Sequence, residues 1–205
     1  MVRTQIRARG VHDPRVLAVM EELPRHEFLP ARDRARAYDD CPLPIAAGQS
    51  ISQPYIVALM TEALALAGTE TVLDVGAGSG YQAAILAKLA ARVLAIEREP
   101  ELLSMARAAL KRVGLIDRVT LLKGDGSLGY AAAAPYDAIL VGAGAPEVPV
   151  QLIEQLAEGG RLVIPVGDRD LQELVLVRRT RGQVTRSKLG GCQFVPLLGA
   201  AGWKG

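Results

Sequence analysis

Five short apolar runs, at residues 71–75, 92–96, 119–122, 137–141 and 160–166, recur along the chain, with helix-length segments between most of them. Each run is too short for a helix, and its hydrophobicity is continuous instead of alternating, which marks a strand covered on both faces. Strand and helix in alternation predict a doubly wound α/β fold around a mostly parallel sheet. The tail breaks this rhythm. Runs at 171–178, 184–189 and 193–197 are β-rich and separated only by Gly182 and by Gly190-Gly191, too little chain for crossover helices. The sheet is therefore expected to finish with antiparallel strands.

Upstream, Val16, Leu17, Val19, Met20 and Leu23 recur at helical spacing, with Asp13 as N-cap, Pro14 in the first turn and Pro24 as stop. Pro24, Pro30, Pro42 and Pro44 then make regular structure improbable and predict an ordered arm across the main body. Ser52 precedes Gln53-Pro54 and an apolar run, the pattern of a helix capped by Ser52 and ending near Gly68. One domain is expected, with an N-terminal helical arm and substrate segment (1–68) and an α/β core with a β-rich tail (69–205).

Composition narrows the function classes. Half of the 205 residues are hydrophobic, which excludes a disordered chain, and 24 basic and 22 acidic residues are interspersed to a formal charge of +2. That pattern lacks the concentrated basic surface by which proteins displace counterions from nucleic acid. Arg178, Arg179, Arg181, Arg186 and Lys188 read as a solvated hairpin end. Cys41 and Cys192 are too few for a disulfide scaffold or a zinc site, and His12 and His26 have no ligand or triad spacing, so no metal is expected. No signal-peptide pattern or membrane-length apolar run occurs, which predicts a cytoplasmic protein away from membranes.

The segment Val72-Leu73-Asp74-Val75-Gly76-Ala77-Gly78-Ser79-Gly80-Tyr81 runs from a strand through glycines into a helix beginning near Gln82. Glycines there permit unusual dihedrals and close approach of a ligand to free helix N–H groups, although a tight turn with no ligand has the same signature. A dinucleotide fingerprint requires its third glycine where Tyr81 stands, which argues against NAD. Asp74 would repel a pyrophosphate but attract the cationic methionine end of S-adenosylmethionine. Glu97, ending the second strand, suits both hydroxyls of a ribose, and Gly124-Asp125-Gly126, ending the third, suits an adenine edge. Asp125 alone reads as a turn residue; the three together read as a cofactor site.

The chain resembles the protein-L-isoaspartate O-methyltransferases nearly end to end. The resemblance rests on Leu23-Pro24-Arg25-His26-Glu27-Phe28-Leu29-Pro30, Pro42-Leu43-Pro44 and above all Gly48-Gln49-Ser50-Ile51-Ser52-Gln53-Pro54-Tyr55-Ile56-Val57-Ala58. It continues through Gly124-Asp125-Gly126, Ala134-Pro135-Tyr136-Asp137, Gly159-Gly160-Arg161-Leu162-Val163-Ile164-Pro165-Val166-Gly167 and Phe194-Val195-Pro196-Leu197. It implies a Rossmann-like methyltransferase sheet, S-adenosylmethionine as methyl donor, and damaged proteins bearing L-isoaspartyl residues as partners, with a monomer expected. It also implies that Ser52 is the active-site serine and that Gln49, Ser50, Ile51, Asp74, Gly76, Ala77, Gly78, Ser79, Gly80, Glu97, Asp125 and Gly126 hold the cofactor.

An α-carboxylate has a pKa of about 3.5, so the acceptor is already a nucleophile at neutral pH and needs aim more than a general base. A hydroxyl at a helix N-terminus can supply that aim, although a serine before Gln-Pro reads equally as an N-cap. Tyr55 and Tyr81 suit either a pocket border or sheet packing. A small-molecule methyltransferase would keep Asp74, Glu97 and Asp125 but gives no reason for the segment from Gly48 to Ala58. A module that binds the cofactor without transferring methyl is the more distant rival.

Overall fold

The computed structural model describes residues 1–204. Its centre is a seven-stranded sheet of β3 (Thr71–Val75), β4 (Arg92–Glu97), β5 (Val119–Lys123), β6 (Tyr136–Val141), β7 (Leu156–Gly167), β8 (Gln172–Thr180) and β9 (Gln183–Cys192). The spatial order is β5-β4-β3-β6-β7-β8-β9. All pairs from β5 to β7 are parallel, and β7–β8 and β8–β9 are antiparallel. The mostly parallel sheet with an antiparallel finish agrees with the pattern of the runs. Chain order reverses at β3, between β4 and β6, which opens a crevice at the strand ends where α/β folds bind ligands.

Alternation along β3 sends Val72 and Asp74 to one face and Leu73 and Val75 to the other. Val72, Val93, Ala95, Leu140 and Val163 join the core beneath α2 (Pro54–Ala63), α3 (Tyr81–Leu89) and the N-terminal arm. Leu73, Val75, Ile96, Ile139 and Leu162 join the opposite core, with Leu152 of the short helix Val150–Glu154. Asp74 thus sits among apolar neighbours because the strand's period puts it there.

The first helix, α1 (Pro14–Glu22), starts as its sequence predicts, with the Asp13 side chain accepting from the Arg15 N–H. The arm is built of short 3₁₀ turns, Arg25–Phe28 and Ala31–Arg36, with Phe28, Leu29 and Ala37 buried. It also contains an unforeseen two-strand ladder, β1 (Leu43–Pro44) against β2 (Ser50–Ile51). This ladder returns the chain to the crevice just before Ser52.

Three local expectations are corrected. Gln53, not Ser52, is the N-cap of α2, and no side chain caps that end; Gln53 Nε2 instead donates to the Asp40 carbonyl. The helix stops at Ala63, short of Gly68, because Ala65 takes a left-handed φ of 46°. Residues 193–197 form no strand of the sheet: β9 ends at Cys192, and the chain turns to pair through Pro196 with Gly144. Gly190 at φ 136° marks the irregularity before this departure.

Candidate active site

Three hollows meet at the ends of β3, β4 and β6. A cleft of about 620 Å³ runs past Gln49, Gly78, Glu97, Leu102, Gly126 and Leu197. A chamber of about 450 Å³ is walled by Ser52, Met60, Asp74, Ala77, Ser79 and Gln82. A groove of about 800 Å³ opens along Arg9, Gln53, Tyr55, Cys192 and Phe194. Ser50 and Gly142 border all three, and Ser52 borders both chamber and groove.

Cleft and chamber share Gly76 and Gly78 of the loop after β3. Gly76, Gly78 and Gly80 have φ of 86°, 52° and 85°, a region that disfavours any side chain. Gly80 touches neither hollow; it caps α3, where an added Cβ would meet Ala106 at 3.2 Å. Gly126 is required for a different reason, since a Cβ there would lie 2.6 Å from Val75.

The Asp74 side chain is fully buried, and neither carboxylate oxygen has a hydrogen-bond partner among the described residues. Burial, and then the nearby negative charge of Glu97, raise its pKa well above the ordinary carboxylate value. An unpaired buried carboxyl is costly unless something cationic or hydrogen-bonding reaches it. Its place on the chamber wall gives such a group access.

Glu97 accepts from the Gly78 N–H at 2.9 Å through one oxygen and from the Arg98 and Glu99 N–H groups through the other. A carboxylate has about four acceptor sites, so capacity remains for a ligand hydroxyl. The same side chain therefore braces the glycine loop and faces the cleft.

Asp125 also fastens another part of the chain. Its oxygens accept from the Ser127 N–H and hydroxyl and from the Ala200 N–H, and it is absent from the cleft wall. Only Gly126 of that pair lines the cleft. Partial burial raises the Asp125 pKa, but the hydrogen bonds from Ser127 and Ala200 outweigh it and hold the carboxyl below its ordinary value. This fixes the C-terminal segment, whose residues 195–198 form a wall of the cleft.

Of the residues proposed from sequence, Gln49, Glu97 and Gly126 come together at the cleft, and Ile51, Ser52, Asp74, Ala77 and Ser79 at the chamber, with Ser50, Gly76 and Gly78 common to both. Sequence reasoning did not single out Gly142, Leu102, Ala143 or Met60. These are small or apolar residues with no chemical signature in one dimension.

The family model for protein-L-isoaspartate(D-aspartate) O-methyltransferase matches residues 1–202. A relative from Methanoculleus marisnigri named protein-L-isoaspartate O-methyltransferase is 53% identical over 100% of this chain and 93% of its own length. One of the same name from Rhodopseudomonas palustris is 55% identical, covering 100% and 94%. A solved structure also described as a protein-L-isoaspartate O-methyltransferase superposes with TM-score 0.84 at 29% identity over 96% of this chain, which spans 64% of that longer chain. Another, from Plasmodium falciparum and in complex with S-adenosyl-L-homocysteine, gives TM-score 0.81 at 26% identity, covering 94% of each chain. With the family model spanning nearly every residue and relatives above half identity over the full length, this chain belongs to the protein-L-isoaspartate(D-aspartate) O-methyltransferase family.

Proposed function

We propose that this chain transfers a methyl group from S-adenosylmethionine to the free α-carboxylate of L-isoaspartyl residues in damaged proteins, with Ser52 orienting the acceptor. The observation that carries this reading is the junction at Ser50 and Gly142, two residues that wall cleft, chamber and groove alike. The cleft and chamber suit an elongated cofactor, and the groove suits a peptide.

The residues fit S-adenosylmethionine on structural grounds. Asp74 offers an unpartnered buried carboxyl for its cationic end, the loop Gly76-Ala77-Gly78-Ser79 leaves space for close backbone approach, and Glu97 retains acceptor capacity beside the cleft. Gln49, Ser50 and Ile51 close the near side. When bound, the cofactor supplies a methyl group made electrophilic by its sulfonium.

Ser52 then hydrogen-bonds the incoming carboxylate at the chamber mouth, and the apolar walls Met60, Val57 and Phe194 strip it of water. No proton need be removed, because the acceptor is already ionised. The methyl ester makes a better leaving group, so the neighbouring backbone nitrogen can close a succinimide with loss of methanol. We further read residues 1–205 as one working unit that acts as a cytoplasmic monomer. Cys41 and Cys192 are both free, and no helix among the described residues is long and apolar enough to cross a membrane.

The direct test is a radiolabelled methyl assay on an isoaspartyl peptide, with the ester located by mass spectrometry. Labelling of the isoaspartyl carboxyl is expected. Cofactor binding without transfer to that peptide would overturn the reading.

A further inference from the structure

Arg25 is fully buried, yet among the described residues no carboxylate lies within salt-bridge distance of it. Its Nε donates to the Ala37 carbonyl and one terminal nitrogen to the Ser52 carbonyl, both at 2.7 Å, and its other terminal nitrogen has no hydrogen-bond partner among the described residues. The guanidinium carbon stands 4.9 Å from the centroid of the Tyr81 ring, which is itself edge-packed on Phe28. A buried unpaired cation is expensive to keep, and burial lowers the Arg25 pKa from its ordinary value. Its partners are two carbonyls and the Tyr81 ring face, and none of them is an anion.

We infer that Arg25 is a positioning residue for the acceptor: it clamps the Ser52 backbone to the arm and to the start of α3, and its charge favours an anionic group beside the Ser52 side chain. This rests on the proposed role of Ser52. The clamp joins three parts that the sequence separates widely: the arm at Ala37, the serine segment, and Tyr81 immediately after the glycine loop. In a trans peptide the carbonyl and the following N–H point in opposite directions. Holding the Ser52 carbonyl against Arg25 therefore directs the Gln53 N–H to the other side of that peptide, and Gln53 and Ser52 are both walls of the groove. The guanidinium fork fixes two carbonyls in one plane, which a lysine ammonium cannot do. The charge lies behind the Ser52 carbonyl and away from water, where its attraction for a carboxylate is screened less than in solvent.

The test uses the full chain with Arg25→Met, Arg25→Lys and Ser52→Ala, measured side by side. Binding of S-adenosylhomocysteine by calorimetry reports the cofactor site, and kcat/KM for an isoaspartyl peptide reports the acceptor site. Competitive inhibition by the same peptide carrying a carboxamide in place of the free carboxylate reports the charge. Arg25→Met is expected to keep S-adenosylhomocysteine affinity within about twofold, lose at least about tenfold in kcat/KM, and lose the preference for carboxylate over carboxamide. Arg25→Lys should recover that preference while remaining several-fold slower than the parent.

A folded Arg25→Met chain with parental kcat/KM and undiminished carboxylate preference would overturn the inference. So would equal losses at the cofactor and acceptor sites, which a purely structural role predicts. If Arg25→Met does not fold, Arg25→Lys decides: parental kcat/KM removes the clamp. Ser52→Ala separates the two claims, because full activity in that variant removes the role of Ser52 itself, whereas an impaired Ser52→Ala beside an unimpaired Arg25→Met removes only the role of Arg25.

Discussion

The Glu97 carboxylate, at the end of β4, accepts a hydrogen bond from the Gly78 N–H, in the loop after β3, at 2.9 Å. One side chain thus links two adjacent strands at the point where the sheet reverses direction. It gives the glycine loop a fixed shape before any ligand arrives, which lowers the ordering cost of binding. Removing it should affect both the loop and the cofactor. Glu97→Ala is expected to weaken S-adenosylhomocysteine binding by about 1–3 kcal/mol, the range for loss of a charge-assisted hydrogen bond. Glu97→Gln should fall between, since its one amide oxygen can serve Gly78 or a ribose hydroxyl but serves both poorly. Calorimetry on both variants checks the order, and parental affinity in Glu97→Ala would remove Glu97 from the cofactor site.

Asp74 predicts an opposition between stability and binding. Its folded pKa is raised, so the folded chain retains a proton that the unfolded chain releases, and stability declines as pH rises above the ordinary carboxylate value of 3.8 toward the folded value. Asp74→Asn removes that slope. In the absence of cofactor the variant should melt higher than the parent at pH 7, by about 2–4 °C for each kcal/mol of relief, with the gap closing near pH 4. It should also bind S-adenosylhomocysteine more weakly, by about 1–3 kcal/mol. Melting curves from pH 4 to 8, paired with calorimetry, test both halves. A variant that binds as the parent does would leave Asp74 without a ligand role.

Asp125 makes the reverse prediction. Its carboxyl is held below the ordinary value, so the bonds to Ser127 and Ala200 are present above that value and are lost as pH falls through the lowered one. The chain has one tryptophan, Trp203, whose indole N–H donates to the Gly144 carbonyl at the end of the segment that Asp125 fastens. Its fluorescence should therefore change below about pH 4. In Asp125→Ala the acid change should be absent, and cofactor release should be faster because residues 195–198 wall the cleft. Stopped-flow displacement of S-adenosylhomocysteine measures the second effect.

Ser52 is separable from helix stability because Gln53 holds the N-cap position of α2. Loss of a capping serine costs about 1 kcal/mol, whereas Ser52→Ala should change stability by less than about 0.5 kcal/mol, as for a substitution outside such a motif. Turnover should fall sharply, with S-adenosylhomocysteine affinity nearly unchanged. Denaturant melts and single-turnover rates on one preparation decide the matter. A stability loss with normal turnover would reverse the assignment.

The sheet was legible because its strands are buried on both faces: the runs at 71–75 and 137–141 need no tertiary information to read as strands. The glycine loop was legible because Gly76, Gly78 and Gly80 occupy dihedrals that other residues avoid. Asp74 and Glu97 were legible as charges at strand ends. What one dimension hides is how side chains are engaged. Asp125 has the neighbours of a turn or ligand contact, but nothing in one dimension shows that its oxygens also accept from Ser127 and from Ala200, 75 residues away. Ser52 has the spacing of a cap, but β1 and β2 deliver it to the chamber one residue too early. Arg25 is anonymous among the chain's arginines until the arm folds it beneath Tyr81 and Ser52.

The same groove predicts discrimination between isomers of one peptide. An L-isoaspartyl peptide and its L-aspartyl counterpart differ by one methylene exchanged between main chain and side chain, a difference for which a hydrophobic pocket gives only about 1–3 kcal/mol. Selectivity must then come from where the carboxylate lands. Beyond β9 the chain from Gln193 to Val195 leaves the sheet and borders the groove together with Ser52, Tyr55 and Gly142. Backbone along such an edge can hold an extended peptide without reading its side chains. With the peptide so held, the α-carboxylate on its short branch reaches Ser52, and the normal side-chain carboxylate arrives displaced. A displacement of about 1 Å is worth on the order of a hundredfold in rate. In a competition between the two peptides at equal concentration, ester should accumulate on the isoaspartyl form in that excess. Comparable labelling of both would show that the groove does not set the acceptor's position, even with Asp74 and Glu97 retaining their roles at the cofactor.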